Sequence, residues 1–170
     1  MACLVREKTP KVSLGYTYSY NNDAARTGGQ LGEYLYAQAD IETIFADVLF
    51  KYQGISFSTE YAQRSSPNPI STKTGSKDLF IYDGYGTNSH LTYMLTNDLQ
   101  LGVRYTSITP SETIARLAGP RTDLAFGISK YFSGHDLKIQ ADVNYITEQS
   151  SINAIEQHSV LVRVQTDFTF

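Results

Sequence analysis

The chain has 170 residues, enough for one ordinary domain, and a formal net charge of −3, so no large basic surface invites nucleic acid. Its one cysteine, Cys3, rules out an internal disulfide and a cysteine-based metal cluster. Tyrosine occurs 13 times and phenylalanine 8 times while tryptophan is absent, a composition suited to strands and to places with one wet end and one apolar end.

No apolar run approaches the roughly 18 residues of a membrane helix. A slightly negative mean hydropathy ordinarily marks a water-soluble protein. Membrane barrels are the exception, because lipid-facing apolar residues alternate with lumen-facing polar ones and the average cancels. The opening M-A-C-L-V-R-E-K lacks the basic start and apolar core of an export signal.

Period-two alternation predicts eight strands and no helix. The first, 12–20, sets Val12, Leu14, Tyr16, Tyr18 and Tyr20 against Ser13, Gly15, Thr17 and Ser19. The second, 44–52, sets Ile44, Ala46, Val48, Phe50 and Tyr52 against Phe45, Asp47 and Leu49. The third, 55–61, sets Ile55, Phe57, Thr59 and Tyr61 against Ser56, Ser58 and Glu60. The segment 78–88 reads either as the upper part of the fourth strand or as a loop strand, and 89–95 sets Leu91, Tyr93 and Leu95 against His90, Thr92 and Met94. Residues 99–105 set Leu99, Leu101, Val103 and Tyr105 against Gln100, Gly102 and Arg104. In 122–131, Leu124, Phe126 and Ile128 oppose Asp123, Ala125, Gly127 and Ser129. In 137–145, Leu137, Ile139, Ala141, Val143 and Tyr145 oppose Lys138, Gln140, Asp142 and Asn144. The last run, 160–170, sets Val160, Val162, Val164, Thr166, Phe168 and Phe170 against Leu161, Arg163, Gln165, Asp167 and Thr169.

Short links at 53–54, 96–98 and 133–136 alternate with long ones near 21–40, 64–84, 109–120 and 148–157. Up-and-down transmembrane barrels alternate in this way, with tight periplasmic turns and long outer loops. The final run has the length of a membrane-spanning strand, about 9–11 residues. Ending on an aromatic suits an interfacial girdle. An edge strand of a soluble sheet tends to avoid a bare apolar edge of this kind.

The alternating C-terminus with its terminal Phe170 resembles the signal that outer-membrane barrel proteins present to their assembly machinery. The stretches F-A-D-V-L-F-K-Y-Q-G-I-S-F-S-T-E-Y (45–61), L-Q-L-G-V-R-Y (99–105), G-I-S-K-Y-F-S-G-H-D-L-K-I-Q-A-D-V-N-Y (127–145) and V-R-V-Q-T-D-F-T-F (162–170) resemble the C-terminal half of the phosphate-selective porin family, the porin O and P type. The resemblance runs from about residue 10 to the end, and 45–61 leans toward its Bacteroidetes-like variants. It implies an all-β fold: an antiparallel up-and-down transmembrane β-barrel in the bacterial outer membrane, with about eight strands present as half of a sixteen-strand porin. It also implies a homotrimer at full length, contact with outer-membrane lipid, and passage of small anions such as phosphate. Family members carry an export signal, so the chain is expected to be a partial sequence with Met1 as an internal start.

In that reading the polar faces line a pore. Arg104, Lys138 and Arg163 lie mid-strand on those faces, with Lys11, Lys51, Arg64 and Arg121 near the ends. Cations in a narrow channel attract anions, and guanidinium matches phosphate oxygens bidentately. Asp47, Glu60, Asp123, Asp142 and Asp167 share these faces, so the charge is nearly balanced. The pore-lining candidates are Arg104, Lys138, Arg163, Asp142, Glu60 and Asp47. Lys138 and Asp142 lie four apart in one strand, as do Arg163 and Asp167, about 13 Å at strand rise, so neither pair can meet within its strand. Cross-strand contact, such as Asp142 with Arg163, is the expected arrangement.

No enzyme is expected. Ser89 and His90 are adjacent in a strand and point to opposite faces, whereas nucleophilic catalysis needs converging groups. No glycine-rich loop links a strand to a helix, so nucleotide binding has no support. The acidic residues Asp23, Glu33 and Asp40 fit no calcium-loop spacing, and neither cofactor nor metal is expected. Two other architectures remain: a closed eight-stranded barrel serving as a membrane anchor or adhesion surface, and a soluble β-sandwich binding module.

Overall fold

The computed structural model describes residues 6–133, 136–149 and 155–169. Phe170, on which the assembly-signal reading rests, and His135 lie outside the described residues. The main strands are β1 (Lys11–Arg26), β2 (Tyr34–Tyr52), β3 (Ile55–Ser65), β6 (Gly84–Met94), β7 (Leu99–Pro110), β8 (Arg121–Ser133), β9 (Leu137–Gln149) and β10 (Glu156–Phe168). Two short strands, β4 (Ile70–Ser71) and β5 (Leu79–Phe80), pair with each other in the β3–β6 connection. The main sheet has the order β1-β2-β3-β6-β7-β8-β9-β10 and every neighbour is antiparallel. Among the described residues there is no α-helix, only a 3-10 turn at Glu112–Ile114.

The fold is therefore an eight-stranded antiparallel meander. It is not a closed barrel. β1 pairs only with β2 and β10 only with β9, which removes the closed eight-stranded alternative and leaves two free edges. Closing so few strands requires strong coiling, which bulges and glycine kinks in mid-strand supply. Here the register breaks only near strand ends, at Asn21/Ala24, Ala24/Arg26 and Tyr131/Ser133.

The register stacks side chains into rows that cross the sheet. One row reads Val12, Phe50, Phe57, Leu91, Val103, Phe126, Val143, Val162, apolar in all eight strands. The next reads Lys11, Lys51, Ser56, Thr92, Gly102, Gly127, Asp142, Arg163 and carries no large apolar side chain. Burial is the reverse of a soluble sheet. Ser56, Thr92 and Asn144 on the polar face are at most 4% exposed, whereas Val162 and Phe126 on the apolar face are 65% and 60% exposed. The sheet thus curls around its polar face.

The ends differ as well. Gln53 and Gly54 make the β2–β3 turn with φ of 46° and 90°, the two-residue form that matches strand twist and demands positive φ twice. The expected long link at 21–40 is instead mostly paired hairpin, because β1 and β2 run on together beyond the apolar rows. A bulge at Asp23, φ 52°, absorbs the irregularity there, and the Asp40 carboxylate accepts its N–H at 2.9 Å. The small core of the molecule sits at this end, where Ala24, Ala39, Ile41 and Ile81 are buried together.

Candidate functional site: the polar face

The polar face of β6 to β10 encloses a recess of about 380 Å³, bordered by His90, Gln100, Arg104, Lys138, Asp142 and Arg163 among others. Its floor is made by two residues without side chains, Gly102 and Gly127, which stand opposite one another in the ladder.

Each cation here has an acidic partner on a neighbouring strand. Arg163 stands opposite Asp142 and donates from Nε and Nη2 to the two carboxylate oxygens at 3.0 and 3.1 Å. Lys138 stands opposite Asp167, with Nζ 2.8 Å from Oδ2. Arg104 Nη2 donates to Asn144 Oδ1 at 3.0 Å and lies 3.8 Å from Asp123 Oδ2. Asn144 in turn donates to Asp142, so β7, β8, β9 and β10 share one network. Higher on the same face, Arg121 lies 3.7 Å from Glu148. The pairing follows from the strand geometry: residues four apart in a strand are too far to meet, while register partners are in reach.

Asp47 and Glu60 are placed differently. They stand opposite each other on β2 and β3, away from the cationic network. Glu60 accepts from Asn88 at 3.2 Å, and Asn88 accepts from Thr106 at 3.0 Å. Neither acid makes an ion pair among the described residues. Asp47 leans over Gly15, where an added Cβ would collide with its Oδ1. The six candidates thus share one face but form two groups: Arg104, Lys138, Arg163 and Asp142 in the recess, Asp47 and Glu60 beside it.

Sequence reasoning missed the parts of Gln100, Tyr131 and Asn144. Tyr131 donates to Gln100 Oε1 at 2.9 Å, and Asn144 bridges two ion pairs. A buried amide on an otherwise alternating strand was the available signal, but its partners depend on register. Several polar atoms at the recess remain without a partner among the described residues: Gln100 Nε2, Arg104 Nε and Asp123 Oδ1. Left dry, each costs about 1–3 kcal/mol.

Leu49, Met94 and Leu161 also lie on the polar face, and one stretch of a row there is apolar throughout. The row Phe45, Ala62, Gly86, Ile108 lies on the polar face and is apolar across β2, β3, β6 and β7. These four residues border a second recess of about 310 Å³, together with Tyr82 from the β3–β6 connection, Arg64 and Thr43. Among the described residues no cluster of histidine, cysteine and carboxylate side chains suits a metal ion. No protein-family model, no curated protein and no solved structure matches this chain.

Proposed function

We propose that this chain forms part of the wall of an outer-membrane porin, through which small anionic solutes such as phosphate diffuse passively. One observation carries the reading: the apolar side of all eight strands faces outward without a cover, and the polar side curls around ion pairs and unpartnered polar atoms. In water this arrangement is inverted. Between lipid and a wet lumen it is the stable one. The strand-and-turn resemblance to the phosphate-selective porins and the alternation of short and long connections support the same reading.

In this wall Arg104, Lys138 and Arg163 supply the positive field that favours anions, and their aspartate partners hold the side chains in place while weakening that field. The expected selectivity is a mild anion preference. Reversal potentials across planar bilayers under a salt gradient test it. Arg104→Ala with Arg163→Ala is expected to shift the reversal potential toward cation preference. An unchanged potential in a conducting channel counts against these residues, and a closed barrel that contains this chain and conducts nothing counts against the porin itself.

A further inference from the structure

We infer that the recess holds an anion between His90 and Arg104 and that this anion draws a proton onto the imidazole, so that acidity strengthens the anion preference of the pore; the role in the pore rests on the porin reading above.

The site follows from a gap in β7. Gln100, Gly102 and Arg104 share its polar face, and Gly102 places nothing there. Register sets His90 of β6 opposite Arg104. The imidazole leans into the gap, with Nε2 3.4 Å from the point where a Cβ on Gly102 would stand. Arg104 reaches the other way, to Asn144 on β9 and Asp123 on β8. The glycine floor therefore has His90 on one side and Arg104, Lys138 and Arg163 around the rest of the recess.

His90 differs from the cations it faces. Arg163, Lys138 and Arg104 each have an aspartate partner. His90, half-buried, makes no hydrogen bond or ion pair among the described residues. On its own strand it is flanked by Asn88 and Thr92. On β3 it meets Ser58, with Ser56 on one side and Glu60 on the other, and Glu60 accepts a hydrogen bond from Asn88. On β7 the charged group facing it is Arg104, with Thr106 beyond. Glu60 favours the charged imidazole and Arg104 opposes it. An anion over the glycine floor tips this balance toward the charged form. By reciprocity, the proton tightens the anion by the same factor. Imidazole is also the side chain whose ordinary titration falls between about pH 5 and 8, above that of the paired aspartates. Gln100, buried on the same wall, adds an amide nitrogen that has no partner among the described residues.

Two measurements test this on a closed barrel that contains this chain. Exchange of the imidazole Cε1 hydrogen, read by mass on the peptide carrying His90, follows its titration. The midpoint in sulfate is expected to lie about one pH unit above that in gluconate of equal ionic strength, which corresponds to about tenfold tighter sulfate on the protonated form. Equal midpoints overturn the site. In planar bilayers with chloride, whose own charge is fixed, anion preference is expected to rise from about pH 7.5 to about pH 5.5. His90→Gln is expected to flatten that profile, and His90→Lys to hold the preference high throughout. A flat profile in the wild type, or a rise that persists in His90→Gln, overturns the role of His90 in the pore. A barrel that conducts nothing removes the porin reading, while the titration in sulfate still decides whether anion and proton are linked at His90.

Discussion

At Gly15 a missing side chain decides where a charge sits. Asp47 and Glu60 face each other in the ladder, an arrangement that destabilises a sheet when both are charged. Asp47 escapes by leaning over Gly15. Gly15→Ala is expected to push it back toward Glu60 and cost about 1 kcal/mol. Adding Asp47→Asn is expected to recover most of that loss, as read from denaturant midpoints. Beyond the apolar rows, Asp40 accepts hydrogen bonds from the Asp23 N–H and the Tyr20 hydroxyl, and these hold its carboxyl below the usual range. A depressed carboxyl stabilises the folded bulge above the ordinary value of about 4 and loses that contribution as pH falls through its own lower pKa. The protection of the Asp23 amide, after correction for the intrinsic pH dependence of exchange, is expected to fall on acidification, and Asp40→Asn to abolish that fall. Some of this was readable in advance. Spacing excluded pairing within a strand and pointed to cross-strand contact such as Asp142 with Arg163, which the register then supplies. The lean of Asp47 and the bridge through Asn144 did not, because both depend on which residues become neighbours across strands, and register is fixed by turns and bulges far from them.

Strands are where the sequence speaks most clearly here. Six of the eight alternating runs fall within strands, and 89–95 and 160–170 run past the ends of theirs, at Met94 and Phe168, since two faces in unlike surroundings impose period two. Their upper ends were harder to place. Above the apolar rows both faces meet water or loop, alternation loses its cause, and β1, β2 and β3 continue to Arg26, Tyr34 and Ser65 unannounced. The same holds for β4 and β5, two residues each, too short for any alternation to announce them. The ambiguous segment 78–88 divides between β5 and the start of β6. Gly84, at φ 147°, marks the change of direction, and a Cβ there would strike Thr109 O. The rows also give the lipid reading a sharp test at this scale. Val143→Lys, in the apolar row, is expected to cost about 2–4 kcal/mol in a lipid bilayer. Gln140→Lys, on the polar face of the same strand, is expected to cost little. Equal costs in folding titrations from urea into vesicles would argue against a lipid-facing surface.

For the whole molecule the governing fact is its pair of free edges. β1 and β10 each present a row of backbone N–H and C=O groups with no strand beside them. In hydrocarbon every such group costs several kcal/mol, so the sheet by itself is not a stable membrane object. These edges lack two of the usual protections: neither strand contains a proline, and the bulge of β1 lies beyond its apolar rows. The eight-stranded sheet alone is expected to aggregate or to appear only in larger assemblies by light scattering in detergent. A monodisperse, heat-modifiable monomer would contradict that. Openness was not legible from alternation, because a strand pattern records which way side chains point and not how far a sheet travels before meeting itself.

Gly102 and Gly127, the bare floor of the recess, have a different kind of consequence. A methyl group at Gly127 would meet only ordinary contacts, at 3.6 Å from Asp142 Cβ and 3.7 Å from Ala141 O. At Gly102 it would press on Thr92 at 3.2 Å. The ladder hydrogen bonds pass through the backbone of both residues and are indifferent to what either carries. The lining can therefore be rewritten at Gly127 while the scaffold stays as it is. If the recess lines a pore as proposed, one substitution at Gly127 is enough to change what it favours.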